Sequence, residues 1–212
     1  MCEVKSVKYL VNIVSENGSI KETIEDRRKS GWGKFAQILG ILGEVNMGAH
    51  RVRVGLLLRK AILTSSLLFT AEAWHNVTDQ DLKRLEQVDI SLLRGIMNSH
   101  SKSANVFHYL ETGSLMLRHL LTINRLMYHQ HLLTRNSSET IKKIYMKQKI
   151  DCVKGDWFHL LKKDFQFIGV DMDEEEIIAT PKSVYKAKIK KVADKSCFSR
   201  IFEPERRKEK VR

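Results

Sequence analysis

Glu72 is the first residue in this chain to raise a chemical question. It stands near the end of the apolar run "LTSSLLFTAEAW" (63–74), two residues before Trp74. An acid at the edge of a hydrophobic stretch suits a general acid, a metal ligand or a buried tether. Catalysis needs complementary groups close together, and the sequence supplies few. His129 and His131 are two residues apart, so on a helix they point in different directions and do not chelate as i,i+4 neighbours do. The acids of "TDQD" (78–81) open a helix, where the dipole and free N–H groups account for them. The acidic run Asp171–Glu176 lacks the glycine and the spacing of a calcium loop and reads as a solvated helix start. Cys152 has no evident activating partner. Glycine-rich phosphate loops, G-x-S-x-G and H-E-x-x-H are all missing. We therefore expect no catalytic residues, no metal and no cofactor. Glu72 is expected to be architectural: a carboxylate at a helix C-terminus opposes the dipole and needs a cationic or N–H partner. Arg118 or Arg125 is the partner expected, with Trp74 filling the join.

The elements that would position these groups are almost all helical. "VKYLVNIVS" (Val7–Ser15) reads as a strand, followed by the turn "ENG". Ser19 and Glu22 form an S-x-x-E capping box for a helix with apolar positions Ile20, Ile24, Phe35, Ile38 and Leu42. Gly31 and Gly33 weaken its middle. The next helix, about Arg51 to Trp74, is apolar around most of its circumference, which predicts a central place in the core. Arg59, Lys60 and Glu72 argue against a bilayer span there. Thr78 and Asp81 cap a helix with Leu82, Leu85, Val88, Leu92 and Ile96 on one face. A short helix over "NVFHYLE" follows, then one from about Leu115 to Arg135. On it Arg118, Thr122, Arg125 and His129 make a polar stripe opposite Met116, Leu120, Ile123 and Met127. Further helices cover "ETIKKIYMKQK" and "WFHLLKKDFQFI". Thr180-Pro181 opens the last, "KSVYKAKIKKVADK". The expected fold is mainly α, a multi-helix bundle with one short N-terminal β segment.

Among 212 residues, 37 Lys and Arg face 25 Asp and Glu, a net charge of +12 that points to polyanionic partners, nucleic acid first. Charge is uneven: residues 151–180 carry 3 cations against 8 acids, and 181–212 carry 12 against 4. This predicts four parts: 1–18 as a β-strand and turn, 19–150 as a helical core, 151–180 as an acidic linker with small helices, and 181–212 as a basic helix and tail. Cys2, Cys152 and Cys197 are odd in number and far apart, which fits a reducing compartment. The N-terminus lacks the apolar stretch of a signal peptide. We expect an intracellular protein, in cytoplasm or nucleus, with no membrane partner. "KAKIKK" and "RRKEK" would serve as a nuclear address.

An ordered set of motifs carries a resemblance. "KYL" in a strand, the turn "NGS" and a helix with "RRKS" resemble the segment after the catalytic palm of non-LTR (LINE-type) retrotransposon reverse transcriptases, where K-Y-L-G belongs to the primer grip. "LLFTAEAW" is similar to that family's L-x-Y-G-x-E-x-W, and "LKRLEQVDISLLRGIM" to its helix ending in L-R. "YLETGSLMLRHLLTINRLMYHQHLL" resembles its E-x-G, L-x-x-x-I and R-x-x-Y-x-x-x-L pattern. The match runs from about Val7 to Arg135, with a weaker extension through "GDWFHLLKKDF". Val11 stands for the glycine after "KYL", Phe69 for the tyrosine and Thr70 for the glycine of the second motif. The family's whole enzyme is an RNA-directed DNA polymerase whose metal-binding aspartates lie in the palm, expected upstream of Lys8. The resemblance thus implies a thumb and connector without the polymerase site.

Two functions follow. The first is a nucleic-acid-binding helical module for a template–primer duplex, without sequence preference. Arg27, Arg28, Lys29, Trp32, Lys34, Arg51 and Arg53 form one expected contact patch, and Lys182, Lys186, Lys188, Lys190 and Lys191 a second. The other is a helical protein-interaction or residual domain of a truncated mobile element. It would self-associate through apolar surface that a palm once covered.

Overall fold

The computed structural model describes residues 6–9, 12–15, 19–44, 50–100, 102–136 and 138–202. The chain is mainly helical and forms two compact units, Met1–Thr70 with Asn76–Leu117, and Ala71–His75 with Arg118–Arg212. The division falls near Leu117 rather than at residue 150. Residues 151–180 are not a linker: they supply Trp157, Phe158, Leu161 and Phe165 to a core. The acids of this segment lie at helix ends and in connections, except Asp164, which is buried on α8 among the core residues, so net charge alone misreads the segment.

In unit one, β1 (Ser6–Tyr9) pairs antiparallel with β2 (Asn12–Ser15), with Val7 opposite Val14 and Lys8 opposite Ile13. In place of the continuous strand expected over Val7–Ser15 there are two paired strands, and residues 10 and 11 lie outside the described residues. The turn "ENG" lies outside the described residues. The backbone N–H and C=O of Ile13 are bonded to Thr23 Oγ1 at 3.0 and 3.1 Å, tying β2 to the first helix, α1 (Lys21–Glu44).

α1 packs along α4 (Asp79–Met97). Ile20, Ile24, Ile38 and Leu42 are buried as their spacing predicts, against Leu82, Leu85, Val88, Leu92 and Ile96 of α4's apolar face. Gly31 makes that approach close: a Cβ there would lie 2.6 Å from Leu67 Cδ2 and 3.2 Å from Val88. A full capping box opens α4. Asp81 N–H donates to Thr78 Oγ1 at 3.2 Å, and Thr78 N–H donates to the Asp81 carboxylate at 3.1 Å. At the head of α1, Ser19 Oγ accepts from Lys21 N–H at 3.3 Å, two residues on rather than three.

Between them runs an apolar segment of α2 (Arg51–Leu58), a π-helical turn (Arg59–Thr64) and α3 (Ser65–Leu67). Gly55, Arg59, Leu63 and Leu67 are its buried residues, a strict four-residue repeat. On a pure α-helix such a stripe drifts about 40° per repeat, and the wider π turn cancels that drift. The segment is not central to the core as expected. Val52, Leu57 and Phe69 are 40, 61 and 49% exposed. Arg51–Ala73 is long and apolar enough to cross a membrane, with 33% of its most apolar stretch buried. α5 (Asn105–Thr112) completes this unit.

Unit two contains α6 (Leu117–Leu133), α7 (Thr140–Asp151), α8 (Trp157–Ile168), α9 (Glu174–Ala179) and α10 (Lys182–Phe202). Left-handed residues end several helices, Asn98 after α4, Gly113 after α5, Cys152 after α7 and Gly169 after α8. Tyr185, Ile189, Ala193 and Cys197 form the buried i,i+4 stripe of α10.

Candidate functional site

Of the first cationic patch, two members are structural. Arg27 is 3% exposed; its Nη2 donates to the Phe69 carbonyl at 3.3 Å and its guanidinium lies 5.4 Å from the Phe69 ring centroid. Burial lowers its pKa from the ordinary value. Arg51 donates to the Leu42 carbonyl at 2.7 Å and the Gly95 carbonyl at 3.2 Å, near the C-terminal ends of α1 and α4. Neither is placed to meet a phosphate. Arg28 is half-buried and holds Glu25 through two bonds of 2.9 and 2.7 Å. Lys29, Trp32 and Arg53 are exposed, Trp32 packing edge-on to Phe35, and Lys34 donates to Gln37 at 3.3 Å.

The second patch is more uniform. Lys182, Lys186, Lys188, Lys190 and Lys191 are all exposed on α10. Lys182, Lys186 and Lys190 recur every four residues and share one side of the helix. Among the described residues Lys188 is the one of the five in an ion pair, with Glu176. Lys182 and Lys186 also open, with Glu72, onto a cavity against α6.

Glu72 does not meet Arg118 or Arg125 as expected. Both arginines pair instead with Asp164 of α8. Arg118 Nη2 lies 2.9 Å from Asp164 Oδ1, Thr122 Oγ1 donates to the same oxygen at 3.1 Å, and Arg125 Nη1 donates to Oδ2. Asp164 and Arg125 are 0 and 1% exposed, and burial lowers the arginine's pKa. The polar stripe of α6 is thus an inward face, because one carboxylate compensates it. Arg118 also lies 5.0 Å from the Phe167 ring. Glu72 contributes its backbone, its carbonyl accepting from Trp157 Nε1 at 2.6 Å, and Trp74 is 3% exposed.

Three further clusters gave weak sequence signals. In unit one, Arg59 makes a bidentate pair with fully buried Asp89, 2.7 Å on each arm, and also donates to the Leu115 carbonyl at 3.2 Å. Tyr109 Oη donates to Asp89 Oδ2 at 3.2 Å, and burial together with that carboxylate pushes its pKa well up. The signal was Asp89 inside an otherwise apolar face.

In unit two, His129 is fully buried. The Tyr145 hydroxyl donates to Glu174 Oε1 at 2.7 Å, so it accepts from His129 Nε2–H at 3.0 Å; Lys149 holds the other Glu174 oxygen at 2.7 Å. Burial depresses the His129 pKa to about 4, outweighing the opposing pull of Glu174. Burial would raise the Glu174 carboxyl, but the bonds from Lys149 and Tyr145 outweigh it and leave it lowered.

Between α4 and α5, His108 Nδ1 donates to the Ala104 carbonyl at 3.0 Å, which leaves Nε2 to accept from Ser99 Oγ at 2.5 Å. An oriented base beside a hydroxyl is the arrangement of an activated nucleophile. Here His108 is 0% exposed and Nε2 also meets Ser103 Oγ at 3.2 Å. The group locks the connection between two helices. Lys162 Nζ lies 3.4 Å from Cys152 Sγ, a neighbour the sequence did not reveal. Among the described residues no three His, Cys, Asp or Glu side chains gather as a metal site.

Comparison with protein-family models, characterised proteins and solved structures gave no match.

Proposed function

We propose that the chain is a non-sequence-specific nucleic-acid-binding helical module, related to the thumb and connector of a non-LTR retrotransposon reverse transcriptase. The observation that carries this reading is α10. Its buried stripe fixes the helix in the unit, and Lys182, Lys186 and Lys190 repeat every turn on an exposed side. A row of ammonium groups at that spacing meets successive phosphates without reading bases. Exposed Lys29 and Arg53 extend the basic surface of unit one. Arg27 and Arg51 are left out of it.

The resemblance gains support from Thr70. It stands where the family has glycine, and it has φ +58°. A β-branched residue rarely enters that region, whereas glycine does so at no steric cost. We read Arg51–Ala73 as a packed segment, since Arg59 is committed to Asp89 inside unit one. The free thiols Cys152 and Cys197 fit an intracellular setting.

The test is a salt titration of binding to a short RNA–DNA heteroduplex. We expect affinity to fall between about 50 and 200 mM salt, and the log–log slope to drop by about one per lysine in Lys182→Gln, Lys186→Gln and Lys190→Gln. Undetectable binding at low salt, or a slope untouched by the triple substitution, sinks the proposal.

A second reading, a self-associating interaction domain, rests on exposed Leu57 and Phe69.

A further inference from the structure

The cavity beside α10 has a composition that a solvated lysine face does not explain. It holds about 460 Å³, within the range of small-ligand sites. One wall is apolar and comes from α6: Ile123, Met127 and the ring of Tyr128. Tyr128 is braced from behind, its ring edge-to-face with Trp157 at 5.7 Å between centroids. A ring held this way is a stacking platform already in position. The opposite side carries Lys182 and Lys186, one helical turn apart at the N-terminal end of α10. The helix dipole adds to their field, so a negative group is favoured there.

Three polar groups complete the lining, the Glu72 carboxylate, the Asn124 amide and the His131 imidazole. Two ammonium groups against one carboxylate leave a single positive charge. That balance matches one phosphodiester and disfavours a triphosphate. A carboxylate also accepts hydrogen bonds and donates none. It therefore suits a ring edge bearing an amino group.

The geometry points to a site for one nucleotide with an unpaired base: phosphate on Lys182 and Lys186, base against Tyr128 and Met127, and an amino-bearing edge facing Glu72 and Asn124. This deepens the nucleic-acid reading above, on which it rests for its ligand. The same chemistry is presented by a free nucleoside monophosphate and by the unpaired end of a strand.

The experiment is calorimetric titration of the full chain at low salt with AMP, with UMP, and with single strands of oligo(A) and oligo(U). Adenine compounds should bind, and uracil compounds should bind at least about fivefold more weakly. Tyr128→Ala and the double variant Lys182→Glu/Lys186→Glu should each weaken adenine binding about tenfold or more. Glu72→Gln should remove the preference for adenine over uracil. Met127→Trp, which fills the cavity from its wall without removing the platform, should block binding and guards against a misfolded Tyr128 variant. Equal affinity for AMP and oligo(A) assigns a free nucleotide; binding of oligo(A) alone assigns a strand end. No saturation by any of the four, or Met127→Trp binding like the parent, overturns the site. Heteroduplex binding is read separately on the parent chain. Nucleotide binding without duplex binding removes the template–primer reading alone, and duplex binding without nucleotide binding removes this one alone.

Discussion

The carboxylate of Asp164 accepts from Arg118, Thr122 and Arg125 on one face of α6, and Asp164 is fully buried. Asp164→Asn leaves Arg125 buried with its charge uncompensated, and removing one partner of such a pair costs about 3–5 kcal/mol. Glu72→Gln should change stability by less than about 0.5 kcal/mol, since the structural bond of Glu72 is made by its carbonyl. Urea unfolding followed by tryptophan fluorescence compares the two. A Glu72 variant as damaged as the Asp164 variant would restore the carboxylate tether. The sequence could mark Arg118 and Arg125 as needing an acid, because two arginines on one helix stripe are costly to bury alone. It could not choose among acids: Asp164 is 39 residues from Arg125, and only the fold of α8 brings it there. Arg27 and Arg51 fail as surface cations for a related reason. The carbonyls they satisfy belong to Phe69, Leu42 and Gly95, and backbone acceptors leave no trace in composition.

Helices with a single dominant face were legible. α4 combined a capping box with a regular apolar repeat, and both are found where spacing put them. The segment after Arg51 was not, since its exposed side is apolar too: Val52, Leu57 and Phe69 face outwards, and apolar character alone does not mark the packed side. α6, α7 and α9 meet at His129, Tyr145 and Glu174, and this junction gives the unit a pH dependence. The groups facing His129 are Tyr145, Lys142 and Lys149 from α7, Glu174 from α9, and the rings of Trp157 and Phe165 from α8. Its folded pKa of about 4 lies below the ordinary 6.5, so the unfolded chain binds the proton more readily. Stability is full above about pH 6.5 and falls as pH drops towards 4, by on the order of 2–3 kcal/mol from this group. Melting temperature should decline over that window, and His129→Gln should flatten the decline. An identical slope in the variant would show that other groups set it.

At the scale of the molecule, two units each carry a buried carboxylate paired with arginine, Asp89 with Arg59 and Asp164 with Arg125. The net charge of +12 opposes association of like chains. Against that stands the exposed apolar surface of unit one, with Leu57 61% exposed. If that surface mediates self-association, light scattering will show a dimer whose fraction rises with salt, and Leu57→Glu will return it to monomer. A parent chain that stays monomeric at high salt removes the interaction-domain reading. Thr70, finally, has a meaning outside energetics. Its left-handed backbone costs on the order of 1–2 kcal/mol, which asparagine or glycine would relieve. Asparagine is a middle-base change away from the two threonine codons that end in a pyrimidine. A lineage under purifying selection has an easy route off that residue, and a lineage released from selection has no reason to take it. The residue found at this position in related sequences is therefore a gauge of whether selection still acts on it.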